Sequence, residues 1–519
     1  MERVSVKMIE LTEQEIDIFN ILIETAEDSE CKSTVRVAGG WVRDKIMGND
    51  SNDIDIAVDN MSGLSFAMRV ALKMGLGDKV GVVKANPEKS KHVETAVMNI
   101  LGLEVQFTGF RKETYSDSSR IPEVEQGNLL EETFRRDFTI NSLYYNINGG
   151  MVEDVSKQGV SDLNKKTVKL MVPPKELWER MGIKNEQEAN KKSFTDDPLR
   201  VLRAIRFACK FNFGLTKELV AAAQDPDVVS AFKKKVSRER MEIELRKMLV
   251  EADPQRAISL IKDLGFLNEV IKLPEKYLDW EMDQNNPHHE FTVWEHTLTA
   301  LGNLQVVIEK ADLSDDDRFV MNLAILLHDT GKLDPRVHGK KAIKAGGTKT
   351  TYYGHEQSSA KAAEHILSQL PGVRVNEVRR VQKLIEGSGR VNPNYTPGNQ
   401  LCNLSNKGLS KFVKFMQDDW QKAIFIHMAD VTSKKKNALE DFDFKYHGDM
   451  MSKIRSLGPK KVMNMKPLLN GNEVISIIDK QPGSWVSLIM AKMLEWQFKN
   501  PKATRVDAEG FVKSFRGNV

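Results

Sequence analysis

The chain has 519 residues, more than one hydrophobic core can use, so two to four domains are expected. Hydrophobic residues make up 40% and charged residues 29%, as in a soluble globular protein, and the longest apolar runs, such as Leu323–Leu327, are too short to cross a bilayer. Lys and Arg number 76 against 73 acidic residues, and a formal charge of +3 excludes a general affinity for nucleic acid, leaving local basic patches to supply any such contact.

The first thirty residues mix acidic side chains with a helical apolar pattern, unlike a signal peptide. Cys31, Cys209 and Cys402 stand far apart in no metal or redox spacing, which points to a reducing compartment and a cytoplasmic protein. Residues 1–154 mix helices with strand candidates at Thr34–Ala38, Asp53–Val58, Gly102–Thr108 and Leu143–Ile147. Within this region Arg36-Val37-Ala38-Gly39-Gly40-Trp41-Val42-Arg43-Asp44 leads an apolar run into a glycine pair. Gly39 and Gly40 let backbone N–H groups approach an anion, and Trp41–Met47 reads as the start of a helix, whose N-terminus favours phosphate. Asp53 and Asp55 come next at i, i+2, on one face of a strand. Neighbouring carboxylates repel unless a cation lies between them, and Mg²⁺ takes such oxygens together with substrate phosphates. The expectation is a two-metal nucleotidyl-transfer site.

Arg135-Arg136-Asp137-Phe138-Thr139-Ile140-Asn141 groups two cations, a carboxylate and an amide that suit triphosphate and ribose hydroxyls. The same residues would also suit a surface turn closed by a salt bridge. Residues 155–272 turn helical and charged, with Leu170–Phe194 reading as a polar connection. In Asp196-Asp197-Pro198-Leu199-Arg200-Val201-Leu202-Arg203, Pro198 fits a first helical turn after an Asp N-cap. Asp197, Arg200 and Arg203 then recur along one side, and a carboxylate beside a guanidinium can mimic the pairing partner of C or A. An ordinary ion pair on an amphipathic helix is the alternative. Lys233-Lys234-Lys235 is a candidate RNA contact, or equally a solvated charge run.

These segments, in this order, resemble the class II tRNA nucleotidyltransferase and bacterial-type poly(A) polymerase family. The wording is most similar to eukaryotic CCA-adding enzymes, through Gly39–Lys45, Asn60-Met61-Ser62-Gly63, Asn86–Ala96, Ser119-Arg120-Ile121-Pro122, Ser237-Arg238-Glu239-Arg240 and the tail Pro482-Gly483-Ser484-Trp485, Trp496-Gln497 and Asn500-Pro501. The resemblance implies an α+β fold: a polymerase-β-like head with a small mixed sheet, then mostly helical neck, body and tail. It implies template-independent addition of C, C and A to tRNA from CTP and ATP. Asp53 and Asp55 would bind Mg²⁺, with Glu104 a third carboxylate. Gly39, Gly40 and Arg43 would contact the triphosphate, and Arg136, Asp137 and Asn141 the ribose and phosphates. Asp197 and Arg200 would read the base, supported by Arg203. Arg111–Glu132 resembles the flexible loop of enzymes that complete the terminal A. A poly(A) polymerase is the alternative within the family.

Asp283-Gln284-Asn285-Asn286-Pro287 has boundary-like turn chemistry. Residues 273–445 interrupt the family pattern with scattered histidines: Trp294-Glu295-His296, His328-Asp329-Thr330-Gly331-Lys332, Gly354-His355-Glu356 and His427-Met428-Ala429-Asp430. A buried helix ending in His and Asp needs partners for both, and imidazole with carboxylate suits a transition metal. The Gly339–Thr351 stretch, rich in Lys, Gly and Thr, is expected to be a mobile loop. The four histidine segments resemble an HD-superfamily metal phosphohydrolase. That resemblance implies ligands His296, His328, Asp329 and Asp430 for a divalent transition metal. His355 would serve a second metal or phosphate, and Lys332 would contact phosphate. Phosphatase and 2′,3′-cyclic phosphodiesterase activity would then repair 3′ ends. A phosphohydrolase whose other half only binds RNA is the competing reading. Residues 455–519 form a last helical unit, a candidate tRNA contact.

Overall fold

The computed structural model describes residues 9–516 apart from 78–80, 84–94, 117–118, 180, 288, 343–346, 371, 392–404 and 501, and only the backbone of 82–83, 113–116 and 119–123. The motif segment Asn86–Glu94 and Cys402 therefore lie outside the described residues. The chain divides into two compact units, one ending at Val270 and one beginning at Ile271.

The first unit opens with helix α1 (Glu13–Ala26), strand β1 (Val35–Ala38), helix α2 (Gly40–Ile46), strand β2 (Ile54–Val58) and helix α3 (Gly63–Lys73). Strands β3 (Gly81–Val83), β4 (Thr95–Ile100), β5 (Leu103–Gly109), β6 (Arg111–Ser116) and β7 (Ser119–Gln126) come next, then helix α4 (Leu129–Phe134) and strands β8 (Tyr144–Asn146) and β9 (Met151–Glu153). Seven strands form one sheet in the order β3-β4-β5-β2-β1-β8-β9, in which only β2 and β5 run parallel. The centre of that sheet is apolar: every residue of β1 is buried, as are Ile54, Ile56, Ala57 and Val58 of β2. Arg36 survives inside β1 because its guanidinium meets Glu153 at 2.6 Å.

Helices α5 (Gly159–Asn164), α6 (Glu186–Asp196) and α7 (Arg200–Lys210) lead into the helical remainder of this unit. Two segments differ from expectation. Arg111–Glu132 is not simply a loop: most of it is the β6–β7 hairpin and its end is the start of α4. Leu170–Phe194 contains α6, because Asn185 caps Glu188 and the otherwise polar helix buries Ala189, Ser193 and Phe194.

The second unit is almost wholly helical. Val293–Ile308, Asp315–Leu327, His355–Leu367, Val375–Val391 and Trp420–Thr432 pack around a shared core. Asp315–Leu327 buries every residue from Phe319 to Leu327, so its polar C-terminal neighbours His328 and Asp329 are drawn inside. Residues 338–352 are a hairpin, His338–Ala342 against Thr348–Tyr352, where a loop was expected. Thr348, Thr350, Thr351 and Tyr352 supply the β preference that the Lys/Gly composition hides. The terminal helices Gly471–Ile478, Ser484–Lys499 and Arg505–Lys513 close around Val474, Ile489, Met493 and Val512, with Pro482-Gly483 between the first two. No described helix is long and apolar enough to cross a membrane.

Candidate active sites

Asp53 stands immediately before β2 and Asp55 within it. Ile54 and Ile56 are buried on the opposite face, so both carboxylates share the open one. On the parallel neighbour β5, Val105 lies opposite Ile54 and Gln106 opposite Asp55. Glu104 therefore falls on the same face as the two aspartates, held by Gln106 Nε2 at 3.3 Å. Protein atoms crowd around Asp55 although its side chain is solvent-accessible. That crowding, together with the weaker effect of the Asp53 charge, raises its pKa to about 6 against the pull of Arg136. A carboxylate pair that resists complete ionisation alone is the donor set a hard divalent cation satisfies.

Gly39 ends β1 with φ at 72°, and its N–H donates to the Leu143 carbonyl at 2.9 Å. A Cβ there would lie 2.8 Å from Arg136 Nη1, so the turn requires glycine on two counts. Gly40 opens α2. Arg136 is clamped by Glu132 at 3.0 Å, the Tyr144 hydroxyl at 3.1 Å and the Asn141 carbonyl at 3.3 Å. Buried Glu132 also binds Arg135, and these two cations hold its pKa down despite burial.

Arg43 is turned inward. Its Nη1 donates to Asn141 Oδ1 at 2.5 Å, its Nε to Asp44 at 2.8 Å, and its guanidinium lies over Phe211. Asn141 Nδ2 in turn donates to Asp137 Oδ1 at 3.0 Å, and Asp137 Oδ2 accepts from Arg203 Nε at 2.7 Å. Burial alone would raise the Asp137 pKa, but the Arg203 charge overrides it and brings the value to about 2. A continuous chain Arg43–Asn141–Asp137–Arg203 thus joins α2, the 135–141 segment and α7.

Asp197 caps the turn that leads into α7, its side chain accepting from the Leu199 N–H, but regular helix begins at Arg200, two residues beyond Pro198. Arg200 is buried: it donates to Ser193 Oγ and to the Arg135 carbonyl, each at 2.7 Å. Asp197 accepts instead from Arg240 at 3.0 Å. The expected Asp197/Arg200 edge is therefore divided, with Arg200 inside the wall and Asp197 and Arg203 partly exposed. Sequence reasoning gave Arg240 no role, although it lies in the Ser237–Arg240 motif. In the Lys233–Lys235 run, Lys233 pairs with Glu269 and Lys235 donates to the Thr195 carbonyl.

In the second unit His296 comes from the first turn of Val293–Ile308, His328 and Asp329 from the end of Asp315–Leu327, and Asp430 from Trp420–Thr432. His296 Nε2 lies 3.2 Å from His328 Nε2, 3.1 Å from Asp329 Oδ2 and 3.2 Å from Asp430 Oδ1. Each imidazole is oriented from behind. The Nδ1 of His296 contacts the Ser433 carbonyl at 3.2 Å, that of His328 the Ile325 carbonyl at 2.6 Å, and that of His355 the Tyr352 carbonyl at 2.7 Å. A carbonyl only accepts, so at these contacts Nδ1 is the donor and Nε2 is turned toward the cluster. His296, His328 and Asp329 lie close enough together to hold a metal ion, and Asp430 Oδ1 faces the same point. His355 Nε2 stands 3.5 Å from the other oxygen of Asp329. Burial opposes charge on Asp329, yet the His328 and Lys332 charges hold its pKa well below the usual range. Lys332 is buried and donates to Asp329 at 2.6 Å and to Gln284 at 2.8 Å.

A cavity of about 470 Å³ opens beside the cluster. It is lined by Lys332, Lys341, Lys349, Lys434, His355 and Tyr353, among others. His289 and His427 also reach it, and both have a buried ring nitrogen without a partner. Sequence reasoning singled out neither Lys434, one turn beyond Asp430, nor the hairpin lysines, whose Lys/Gly/Thr-rich segment reads as a loop.

The Poly A polymerase head domain family matches residues 35–169. The mitochondrial CCA tRNA nucleotidyltransferase of Candida glabrata is 30% identical over 556 aligned residues, covering 98% of this chain and 97% of that protein. This chain belongs to the CCA tRNA nucleotidyltransferase family. The Saccharomyces cerevisiae member of that family is 29% identical over 91% of this chain and 86% of its own length. Among solved structures, the Thermotoga maritima CCA-adding enzyme complexed with tRNA aligns over 97% of this chain and 96% of its own, with a TM-score of 0.56 at 18% identity, a likeness of fold.

Proposed function

We propose that the chain is a CCA-adding enzyme that extends tRNA 3′ ends from CTP and ATP, with Mg²⁺ held by Asp53 and Asp55 and Glu104 completing the face. The carrying observation is the carboxylate pair on β2, where crowding and mutual repulsion raise the Asp55 pKa, beside the Gly39 turn and Arg136. Bound Mg²⁺ would stabilise charge on the phosphoryl oxygens and favour the ionised 3′-hydroxyl. The Gly39–Gly40 backbone and Arg136 would receive the triphosphate. Asp137 and Asn141 would place the ribose, and Asp197 and Arg203 would meet the base edge. Buried Arg43 and Arg200 would act as braces, Arg43 on Asn141 and Arg200 on the Arg135 carbonyl.

The second unit, in this proposal, is a metal-dependent phosphohydrolase of the HD type. His296, His328, Asp329 and Asp430 would hold a transition metal, and Lys332 and His355 would serve the phosphate. Phosphatase and 2′,3′-cyclic phosphodiesterase activity there would prepare damaged tRNA ends for the first unit. The support is the convergence of the His296 and His328 Nε2 atoms with the Asp329 and Asp430 carboxylates, with His355 beside Asp329, next to a lysine-lined cavity.

A tRNA lacking its last three nucleotides, given Mg²⁺, CTP and ATP, is the substrate that tests the reading. The expected product is three nucleotides longer and ends in A. A long A tract would make the protein a poly(A) polymerase. Asp53→Ala and Asp55→Ala should abolish addition while hydrolysis of a 2′,3′-cyclic phosphate persists, and His328→Ala with Asp329→Ala should do the reverse. Addition that survives loss of both aspartates would remove them from the site.

A further inference from the structure

The hairpin over the histidine cavity carries two features that the phosphohydrolase chemistry does not need. Lys341 and Lys349 are directly opposite in its ladder, and both line the cavity. Like charges in that position repel, and the arrangement is relieved when an anion sits between them. Immediately after the second strand comes Tyr353, which is 69% exposed and lines the same cavity. Among the described side chains it is the one strongly exposed aromatic ring; the other Phe, Tyr and Trp rings are buried or half-buried. An aromatic residue left in water at the rim of a cationic cavity sacrifices the burial that such rings usually gain. Lys332 and His355 already stand beside the metal cluster, within reach of a reacting phosphate. The Lys341/Lys349 pair is therefore spare positive charge, and Tyr353 is a spare stacking face.

We propose that this hairpin is a clamp for the end of an RNA strand, with Tyr353 stacking on the terminal nucleobase and Lys341 and Lys349 gripping the next backbone phosphate. This rests on the phosphohydrolase reading of the cluster but makes a separate claim. The substrate is a chain end with at least one further phosphate, and a free nucleotide would leave the lysine pair unmatched. A cavity of about 470 Å³ accommodates one nucleotide, leaving the remainder of the strand outside. Stacking and phosphate contact are the usual pair of interactions for single strands, and both tolerate any sequence.

The test uses the full chain and a short RNA ending in a 2′,3′-cyclic phosphate, the same RNA with an abasic terminal sugar, and 2′,3′-cyclic AMP. Tyr353→Trp places a reporter at the rim, and its fluorescence should be quenched by the intact RNA but not by the abasic one. Tyr353→Ala should weaken RNA binding about tenfold, with Tyr353→Trp restoring it. Lys341→Ala with Lys349→Ala should weaken binding of the RNA and lower its salt slope by about 0.7, the value for one phosphate on a single strand. Their effect on 2′,3′-cyclic AMP should be far smaller. An unchanged circular-dichroism melting curve reports that each variant is folded. Equal binding of intact and abasic RNA, or an unchanged salt slope, overturns the clamp even if hydrolysis is normal. Quenching and the salt effect without any hydrolysis would keep the clamp and overturn the phosphohydrolase reading.

Discussion

Replacing Asp137 by Asn removes one charge from the chain Arg43–Asn141–Asp137–Arg203 while keeping the shape of the side chain. In the folded protein the Arg203 charge holds Asp137 at a pKa of about 2, against an ordinary value of 3.8. A depression of just under two units corresponds to roughly 2 kcal/mol of stability. Because the folded pKa is the lower one, that stability is present above the unfolded value and is lost as pH falls toward 2. Urea unfolding at pH 7 should therefore show Asp137→Asn about 2 kcal/mol less stable than the parent, with the gap narrowing below pH 4. The carboxylate also anchors Asn141, so nucleotide addition at pH 7 should slow, with kcat affected more than KM if alignment is what is lost. An equal deficit at pH 7 and pH 3, or none at either, would refute the argument that the Arg203 charge sets this group.

Gly39→Ala should cost about 1–2 kcal/mol for its left-handed backbone and more for the approach to Arg136, whereas Gly40→Ala should be mild; the thermal midpoints of the two variants give the comparison. Arg240→Ala should leave Asp197 without its partner and shift the ratio of kcat/KM for CTP against ATP several-fold; an unchanged ratio would restrict Arg240 to a structural part. A methyl group at Gly331 would overlap the His355 carbonyl, so Gly331→Ala should destabilise the second unit by about 1–3 kcal/mol and reduce transition-metal content measured by elemental analysis, while addition continues.

Much of the geometry of both candidate sites was legible because the signals were local. The glycine pair, the i, i+2 aspartates and the His-Asp doublet each place chemistry by backbone geometry over a few residues, and the strands at 35–38, 54–58, 103–109 and 144–146 arise from short apolar runs. The β4 strand at Thr95–Ile100 and the β6–β7 hairpin were missed even though each pairs with a strand next to it in the chain, β4 with β5 and β6 with β7. The direction in which an arginine points, by contrast, depends on partners far along the chain. Nothing in Asp197–Arg203 announces that Arg200 will turn inward, since its acceptors are Ser193 and a carbonyl sixty-five residues earlier. The hairpin at 338–352 escaped because lysines and glycines dilute its alternating threonines.

Arg200 and Arg203 are both moored to residues 135–137, one through a main-chain oxygen and one through a carboxylate. The helix proposed to read the base and the segment proposed to hold ribose and phosphate are therefore tied to each other by these bonds. Transplanting the 196–203 helix alone from a relative with other nucleotide preferences should yield a misaligned pocket, because its guanidiniums would meet foreign moorings. The two segments would have to be exchanged as a cassette, and divergence among family members at one should be matched by compensating change at the other.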